Sequence, residues 1–231
     1  MKNQLTPPFK KALLLDMNST FMFGEDRFGE NEDFYSYYAK IGGYISKKEL
    51  HNIILAAYNF LDVRYPDENY RHNFPSLADA LLTSCDLELT EDEIEKIIET
   101  FSYHELGYIP DEFISALHTL GEHYTLAAVI DIWSPKKLWL KAFEKAGISK
   151  LFSALSFSSD HGMVKPSPKP FEHVVKQLNF QKEECLVIGD SERRDLGGAM
   201  AAGIDCVLVG GASSPKAVGC YPTLLEFSKG I

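Results

Sequence analysis

Five short apolar segments, each followed by an acidic residue, a serine or a glycine, most constrain the fold of this chain. They are ALLL before Asp16, TLAAVI before Asp131, FSALSF before Ser158, CLVIG before Asp190 and CVLV before Gly210. Segments this short and apolar are typical of strands buried in a parallel sheet. Because stretches with helical periodicity separate them, the sequence predicts an α/β fold with a Rossmann-like, doubly wound, mainly parallel sheet.

The region from residue 23 to residue 104 has no such strand segment, and its apolar residues follow a helical period. Thr90 followed by Glu93 predicts a capping box at the start of one helix. We therefore expect an all-helical cap domain at 23–104, inserted into a Rossmann-like core formed by 1–22 and 105–231. Ligands of such sheets bind outside the carboxyl ends of the strands, so the cap is expected to cover the site as a lid. The alternative is a stabilising module that does not contact the ligand.

Composition narrows the classes of partner. Lys and Arg number 23 against 33 Asp and Glu, for a formal charge of −10, and no basic cluster is evident. This charge predicts that the protein binds neither nucleic acid nor an anionic membrane. No apolar segment approaches the roughly 20 residues that span a bilayer, and no secretory core precedes the first strand segment, so we expect a cytoplasmic location. The sequence does not define the oligomeric state.

Charged residues follow the predicted strands where a parallel sheet would bring them together. They are Asp16, Asp131, Lys165, Asp190 and Asp195. One acid at a strand end is often only a turn former or a helix cap, but several acids with a lysine favour a site. Carboxylate oxygens suit Mg²⁺, a hard ion that leaves positions for water and phosphate. A lysine among them would offset their repulsion and hold a phosphoryl group.

Three motifs, taken together, resemble those of the haloacid dehalogenase-like hydrolase superfamily, and the resemblance covers nearly all of the chain. Its first motif, D-x-D-x-T, matches Asp16 to Thr20, and its Lys-Pro motif matches Lys165-Pro166. Its last motif, G-D-S-x-x-x-D, matches Gly189 to Asp195 and is followed by a small-residue pattern from Gly198 to Gly203. The predicted helical insertion lies where this superfamily carries its type 1 cap.

The resemblance implies Mg²⁺-dependent hydrolysis of a small phosphorylated metabolite. Asp16 would be the nucleophile that forms an aspartyl-phosphate, and Lys165 would orient Asp16 and the phosphate. Asp16, Asp190 and the backbone carbonyl of Asn18 would hold the Mg²⁺, with Asp195 also at the metal end of the site.

The second motif of the superfamily, a Ser or Thr after a strand, aligns with Ile130-Asp131, where Ile130 offers no hydroxyl. A shifted register would instead let Ser134 reach the phosphate. We therefore predict substrate contacts from Thr20, Ile130, Asp131 and Ser134.

Asn18 stands where the phosphatases have a second aspartate, and an amide neither protonates a leaving group nor takes a proton from water. General acid-base catalysis is worth roughly 10²–10⁴-fold in rate, so slow turnover is expected.

Three alternatives follow from these departures. The first is a non-catalytic binding or regulatory protein, which Asn18 and Ile130 favour. The second is a haloacid dehalogenase, a branch that also lacks the second aspartate but typically lacks the Gly-Asp metal pair retained here. The third is a phosphonate hydrolase, which would need a Schiff-base lysine in the cap. The candidate lysines are Lys40, Lys47 and Lys48, which we expect to be solvated surface residues.

Overall fold

A computed structural model describes residues 10–85 and 88–231, so residues 1–9 of the predicted core and 86–87 of the predicted cap lie outside the described residues. Within these ranges the chain forms a six-stranded sheet in the order β3-β2-β1-β4-β5-β6, and every pairing between neighbouring strands is parallel. The strands are β1 (Ala12–Leu15), β2 (Thr125–Ile130), β3 (Phe152–Phe157), β4 (Cys185–Gly189), β5 (Asp205–Leu208) and β6 (Gly219–Cys220). This confirms the predicted fold class. The sequence did not indicate β6, because two residues contain no apolar run.

In the part of the chain that the structure describes, four α-helices lie between β1 and the helix that leads into β2. They are α1 (Phe34–Lys40), α2 (Lys47–Asp62), α3 (Leu77–Ser84) and α4 (Glu91–Glu105). Thr90 and Glu93 form the predicted capping box of α4. The remaining helices are α5 (Asp111–His123), α6 (Lys137–Lys145), α7 (Ser158–His161), α8 (Lys169–Leu178), α9 (Gly197–Ala202) and α10 (Leu224–Ser228). None of the helices in the described ranges has the length and apolar composition needed to cross a bilayer.

Apolar side chains cover both faces of the sheet, which explains why β1 is apolar at every position. Leu13 and Leu15 pack on one face in a cluster with Trp139, and Ala12 and Leu14 pack on the other face in a second cluster. Alternate residues of a strand point to opposite faces, so a central strand needs apolar residues throughout.

The helices α1 to α4 have a hydrophobic core of their own, which includes Phe34, Leu50 and Phe101 and also contacts Val164. A separate core is what an inserted module requires. It favours the predicted division of the chain, although the boundaries stay a prediction. Glu105, assigned by the sequence to the second core segment, is the last residue of α4.

The strand order reverses at β1, which lies between β2 and β4. The backbone N–H of Asp16 donates to the carbonyl of Ile188 at 2.8 Å, so the residues that follow β1 and β4 are neighbours. Such a switch point opens a crevice at the carboxyl edge of a sheet. Asp16 and Asp190 both lie at this crevice.

Candidate active site

A cavity of about 150 Å³ lies beside the carboxyl edge of the sheet and is lined by residues of both the sheet and the helical segment. Its lining residues are Asp16, Asn18, Ser19, Glu25, Asp26, Tyr65, Glu105, Asp131, Trp133, Lys165 and Arg194. Four of the predicted site residues are therefore brought together there, namely Asp16, Asn18, Asp131 and Lys165. Their roles stay predictions.

Lys165 is the buried cation of this cavity. Its Nζ donates to Asp16 Oδ1 at 2.5 Å and to Asp195 Oδ1 at 2.7 Å, and 3% of its side chain is exposed. Burial lowers the pKa of Lys165, but the carboxylates of Asp16 and Asp195 more than compensate and hold that pKa well above its usual value. Lys165 is thus a permanent positive charge that connects two of the motifs.

Both carboxylate oxygens of Asp16 accept hydrogen bonds. Oδ1 accepts from Lys165, and Oδ2 accepts from the Thr20 hydroxyl at 3.2 Å. Burial raises the pKa of Asp16 to about 7, although the Lys165 charge acts to lower it. A second cation beside Asp16 would lower that pKa and keep the carboxylate ionised. Thr20 is buried and does not line the cavity, so its contact in the structure is with Asp16.

The last motif reaches Asp195 through a π-helical turn, Glu192–Leu196. Such turns often occur at functional sites. Here the turn brings the Asp195 carboxylate beneath the end of β4, where Oδ2 accepts from the backbone N–H of Ser191 at 3.0 Å. A Cβ on Gly189 would lie 2.3 Å from Asp195 Cγ, so only glycine fits there. The glycine of this motif therefore has a steric cause.

Three acidic side chains form a group suited to a cation. Oxygens of Asp16, Asp190 and Asp195 lie within 4.8 Å of one another. Asp195 is already paired with Lys165, whereas Asp190 forms no ion pair with any described residue. The buried Oδ1 of Asn18 also has no hydrogen-bond donor among the described residues. An all-oxygen donor set with unsatisfied members fits Mg²⁺.

The loop after β2 departs from its predicted role. Ile130 is 1% exposed and belongs to the hydrophobic core, and neither Ile130 nor Ser134 lines the cavity. Both the hydroxyl and the backbone N–H of Ser134 donate to the Glu105 carboxylate, as does the backbone N–H of Trp133. This placement argues against substrate contacts from Ile130 and Ser134. Burial raises the pKa of Glu105 to about 7, while the hydrogen bond from Ser134 acts to lower it.

Asp131 connects the sheet to the helical segment at the cavity. It accepts hydrogen bonds from the Tyr65 hydroxyl at 2.8 Å and from the backbone N–H of Lys165 at 2.9 Å. Burial raises its pKa, and these donors oppose that rise. Asp131 therefore lines the predicted site but is already engaged by protein groups.

Seven lining residues are not among the predicted site residues. Ser19 lies within the first motif and Trp133 follows β2, and sequence reasoning missed the other five: Glu25, Asp26, Tyr65, Glu105 and Arg194. Arg194 lies inside the last motif, at a position that the motif leaves open, and the others belong to no recognised pattern. The three candidate Schiff-base lysines of the cap are exposed, and none lines the cavity. Their placement argues against the phosphonate hydrolase alternative.

The parallel sheet, with its group of acids around a buried lysine, defines an α/β protein with a candidate active site at the switch point. A family model described as haloacid dehalogenase-like hydrolase matches residues 10–203, and the chain belongs to this family.

Curated relatives share the family at low identity. The chain is 27% identical over 143 residues to a glyceraldehyde 3-phosphate phosphatase of Pyrococcus furiosus, a match that covers 61% of this chain and 59% of that protein. It is 26% identical over 178 residues to the pyrophosphatase PpaX of Halalkalibacterium halodurans, covering 73% of this chain and 80% of that protein. The first match thus spans about three fifths of the relative's length.

Solved structures share the fold over most of their length. A 2-haloacid dehalogenase from Pseudomonas syringae aligns with a TM-score of 0.65 at 18% identity, covering 96% of this chain and 97% of that one. A phosphatase of the family from Thermococcus onnurineus aligns with a TM-score of 0.61 at 24% identity, covering 95% and 96%. These similarities show the fold.

Proposed function

We propose that this hydrolase cleaves a small phosphate monoester in a Mg²⁺-dependent reaction, with Asp16 as the nucleophile. The observation that carries the proposal is the arrangement of Asp16, Lys165 and Asp195 in one buried ion-pair network, with Asp190 beside it and without an ion pair to the described part of the chain. The phosphatase names of the curated relatives support a phosphorylated substrate.

In the first step a carboxylate oxygen of Asp16 attacks the phosphorus atom. The ester P–O bond breaks and the aspartyl-phosphate forms, while the departing oxygen keeps the bonding electron pair and takes a proton from solvent to become the alcohol. Lys165 holds the nucleophile through Oδ1 and neutralises charge on the phosphoryl oxygens. In the second step water attacks this acyl-phosphate, which releases inorganic phosphate and restores the Asp16 carboxylate.

Asp16, Asp190 and the backbone carbonyl of Asn18 would hold the Mg²⁺. When bound, the ion would supply positive charge to the phosphoryl oxygens and to the departing oxygen. It would also offset the repulsion between Asp16, Asp190 and Asp195, whose mutual charge raises the pKa of Asp16.

The helical segment at 23–104 would act as a cap that encloses the substrate. Two contacts support this role: the Tyr65 hydroxyl donates to Asp131, and the Arg193 guanidinium donates to the Pro66 carbonyl at 3.2 Å. They join the helical segment to the cavity and to the last motif. Closure over a phosphoryl-transfer site would exclude water during the first step.

The first prediction tests the metal. Saturating Mg²⁺, at about 100 times its Kd, is expected to stabilise the fold by about 2.7 kcal/mol, or roughly 5–10 °C in thermal midpoint. Asp190→Asn should remove that rise, because it deletes the carboxylate of the acidic group that pairs with no lysine or arginine of the described residues. Asp205→Asn, at the opposite end of the sheet, is the control and should respond as the wild type does. An equal response of Asp190→Asn would overturn the metal assignment.

The second prediction tests Asn18. Asn18→Asp places a carboxyl group at the acid-base position with nearly unchanged volume, so turnover of an alkyl phosphate should rise by roughly 10-fold or more. Para-nitrophenyl phosphate has a leaving group that scarcely needs a proton and should gain less. Steady-state kinetics of both esters measure the difference. The control is Asn52→Asp at an exposed position of α2, which should leave both rates unchanged.

No gain in Asn18→Asp would mean that another carboxyl group already supplies the proton. Asp26 is the alternative donor, because desolvation in the cavity and the neighbouring Glu25 raise its pKa to about 6.

The experiment that tests the whole proposal is a screen of phosphorylated metabolites, with Mg²⁺ and with EDTA. Release of inorganic phosphate that requires Mg²⁺ is expected. A protein that binds beryllium fluoride at Asp16 but hydrolyses no ester would instead favour the non-catalytic binding protein, which the Asn18 replacement supports. Halide release from a 2-haloacid in EDTA would favour the dehalogenase branch.

A further inference from the structure

Arg194 differs from Lys165, the other cation of the cavity, because it has no ion-pair partner among the described residues. The ammonium of Lys165 is occupied by two carboxylates, whereas the Arg194 guanidinium lies 5.5 Å from the centre of the Tyr65 ring and pairs with no carboxylate there. The side chain is only partly exposed and lines the cavity. The carboxylates of Asp16, Asp195 and Asp190 act on this guanidinium from beyond ion-pair distance, so its N–H donors remain available to an anion that enters the cavity.

Arg194 is not needed to attach the helical segment to the last motif. Its neighbour Arg193 makes that attachment through the Pro66 carbonyl, and Tyr65 is held by Asp131. The Tyr65 ring instead holds the Arg194 guanidinium by a cation–π contact. Its planar fork of donors stays available for two parallel hydrogen bonds to a carboxylate or a phosphate.

The charge of the cavity shows why this cation matters for an anionic substrate. Five carboxyl groups line the cavity against two cations, Lys165 and Arg194. The ionised carboxylates of the lining would repel an anionic substrate, and a positive charge that is not already paired would attract it. Lys165 is bound to the nucleophile, so the unpaired guanidinium is the protein group best able to attract a second anionic group.

Tyr65 and Arg194 meet at the wall of the cavity where the helical segment contacts the last motif. A substrate whose phosphoryl group contacts Asp16 would direct its leaving group there. The cavity of about 150 Å³ is well below the ~300 Å³ of common ligand pockets, so the leaving group is small.

We propose that Arg194, oriented by Tyr65, forms a subsite for a carboxylate on the leaving group, so that the preferred substrate is a small phosphate monoester of a hydroxy acid. This inference rests on the proposed phosphatase function for the identity of the reacting group. The guanidinium would bind the carboxylate through two hydrogen bonds and thereby place the ester phosphorus against Asp16.

The test compares two esters of matched size. One is 2-phosphoglycolate, and the other is 2-hydroxyethyl phosphate, in which a hydroxymethyl group replaces the carboxylate. The wild type should favour 2-phosphoglycolate in kcat/KM. Arg194→Met should lower this preference by roughly 10- to 100-fold, mainly through KM, because it removes a charge-assisted, two-pronged contact. Arg194→Lys should retain part of the preference, since it keeps the charge but loses the fork.

Arg71→Met is the matched control, because it removes a guanidinium that pairs with Glu68 and does not line the cavity, and it should leave the preference of the wild type. An equal loss for both esters in Arg194→Met would overturn the subsite, since it would show that Arg194 acts on the phosphoryl group or on the metal end. An unchanged preference, or none in the wild type, would overturn it as well.

A binding experiment separates this inference from the proposed function. Calorimetry on Asp16→Asn, which lacks the nucleophile, should show tighter binding of 2-phosphoglycolate than of 2-hydroxyethyl phosphate. Adding Arg194→Met should remove that difference. An Arg194-dependent difference in a protein whose wild type hydrolyses no ester would retain the subsite and overturn the phosphatase. Hydrolysis with no such difference would retain the phosphatase and overturn the subsite.

Discussion

Asp16→Asn is expected to lower Mg²⁺-dependent phosphate release by about 10³-fold or more, because an amide is not a competent nucleophile toward phosphorus. The change removes one charge but keeps the size of a side chain that lies between Lys165 and Thr20. Lys165 retains Asp195 as an ion-pair partner, so the fold should remain intact. Initial rates with several esters, taken together with circular dichroism, measure the effect.

Asp92→Asn is the matched control for this loss. Asp92 is exposed on α4, and its one ion pair among the described residues is with Lys96, one turn along the same helix. The same chemical change there should leave the rate unaffected. The nucleophile assignment also predicts a phosphorylated intermediate in the wild type. Residual activity of Asp16→Asn above about a tenth of the wild-type rate, with deamidation excluded by mass spectrometry, would rule out Asp16 as the nucleophile.

Lys165→Met should produce the largest change in stability. The lysine is buried between two carboxylates, and removal of one partner of a buried ion pair costs about 3–5 kcal/mol. The free energy of unfolding, measured in urea without metal, reports this cost. Lys182→Met removes an exposed lysine paired with Glu172 and should cost less than about 1 kcal/mol.

The cost of Lys165→Met should also depend on pH. Burial already raises the pKa of Asp16 to about 7, and the Lys165 charge restrains that rise, so the variant should have a still higher value. A group with a raised pKa in the folded state contributes stability that is present at low pH and is lost as pH rises through that pKa. The variant should therefore lose more stability at pH 8 than at pH 5, relative to the wild type.

A second substitution isolates the cause of this loss. Asp195→Asn added to Lys165→Met removes one of the two uncompensated carboxylates and should recover part of the stability at pH 8. Mg²⁺ should also recover part of it, because the ion supplies charge to the same group. A loss that is equal at both pH values would show that packing around the lysine stem, not charge, is what the substitution removes.

The features that sequence reasoning predicted correctly are local ones. Each strand from β1 to β5 is a short apolar run that can be recognised in the sequence. The capping box of α4 depends on two residues three positions apart. The parallel direction of neighbouring strands then follows from the helices between them, because a connection between parallel strands must be long enough to cross the sheet and usually contains a helix. The positions of Asp16 and Lys165 were predictable for the same reason, since the carboxyl ends of parallel strands meet at one edge.

The substrate contacts predicted for Ile130 and Ser134 depended on where their side chains point, which the sequence does not define. Ile130 and Asp131 are neighbours in sequence, yet one packs in the core and the other lines the cavity, as the alternation at the end of β2 requires. Ser134 was placed near the phosphate because of its hydroxyl. In the structure that hydroxyl donates to Glu105, a residue 29 positions away at the end of the helical segment.

By itself, the sequence determined the α/β fold, the family and the acids and lysine at the sheet edge, because each depends on local apolar patterns and on motifs at the ends of strands. Only the tertiary structure decided how the cavity is completed. Tyr65 and Arg194 are far apart in sequence, yet they share one wall, and no periodicity connects them. Their contact arises because the helical segment packs its own core and then meets the last motif, so long-range packing decided which cation of the cavity wall contacts Tyr65.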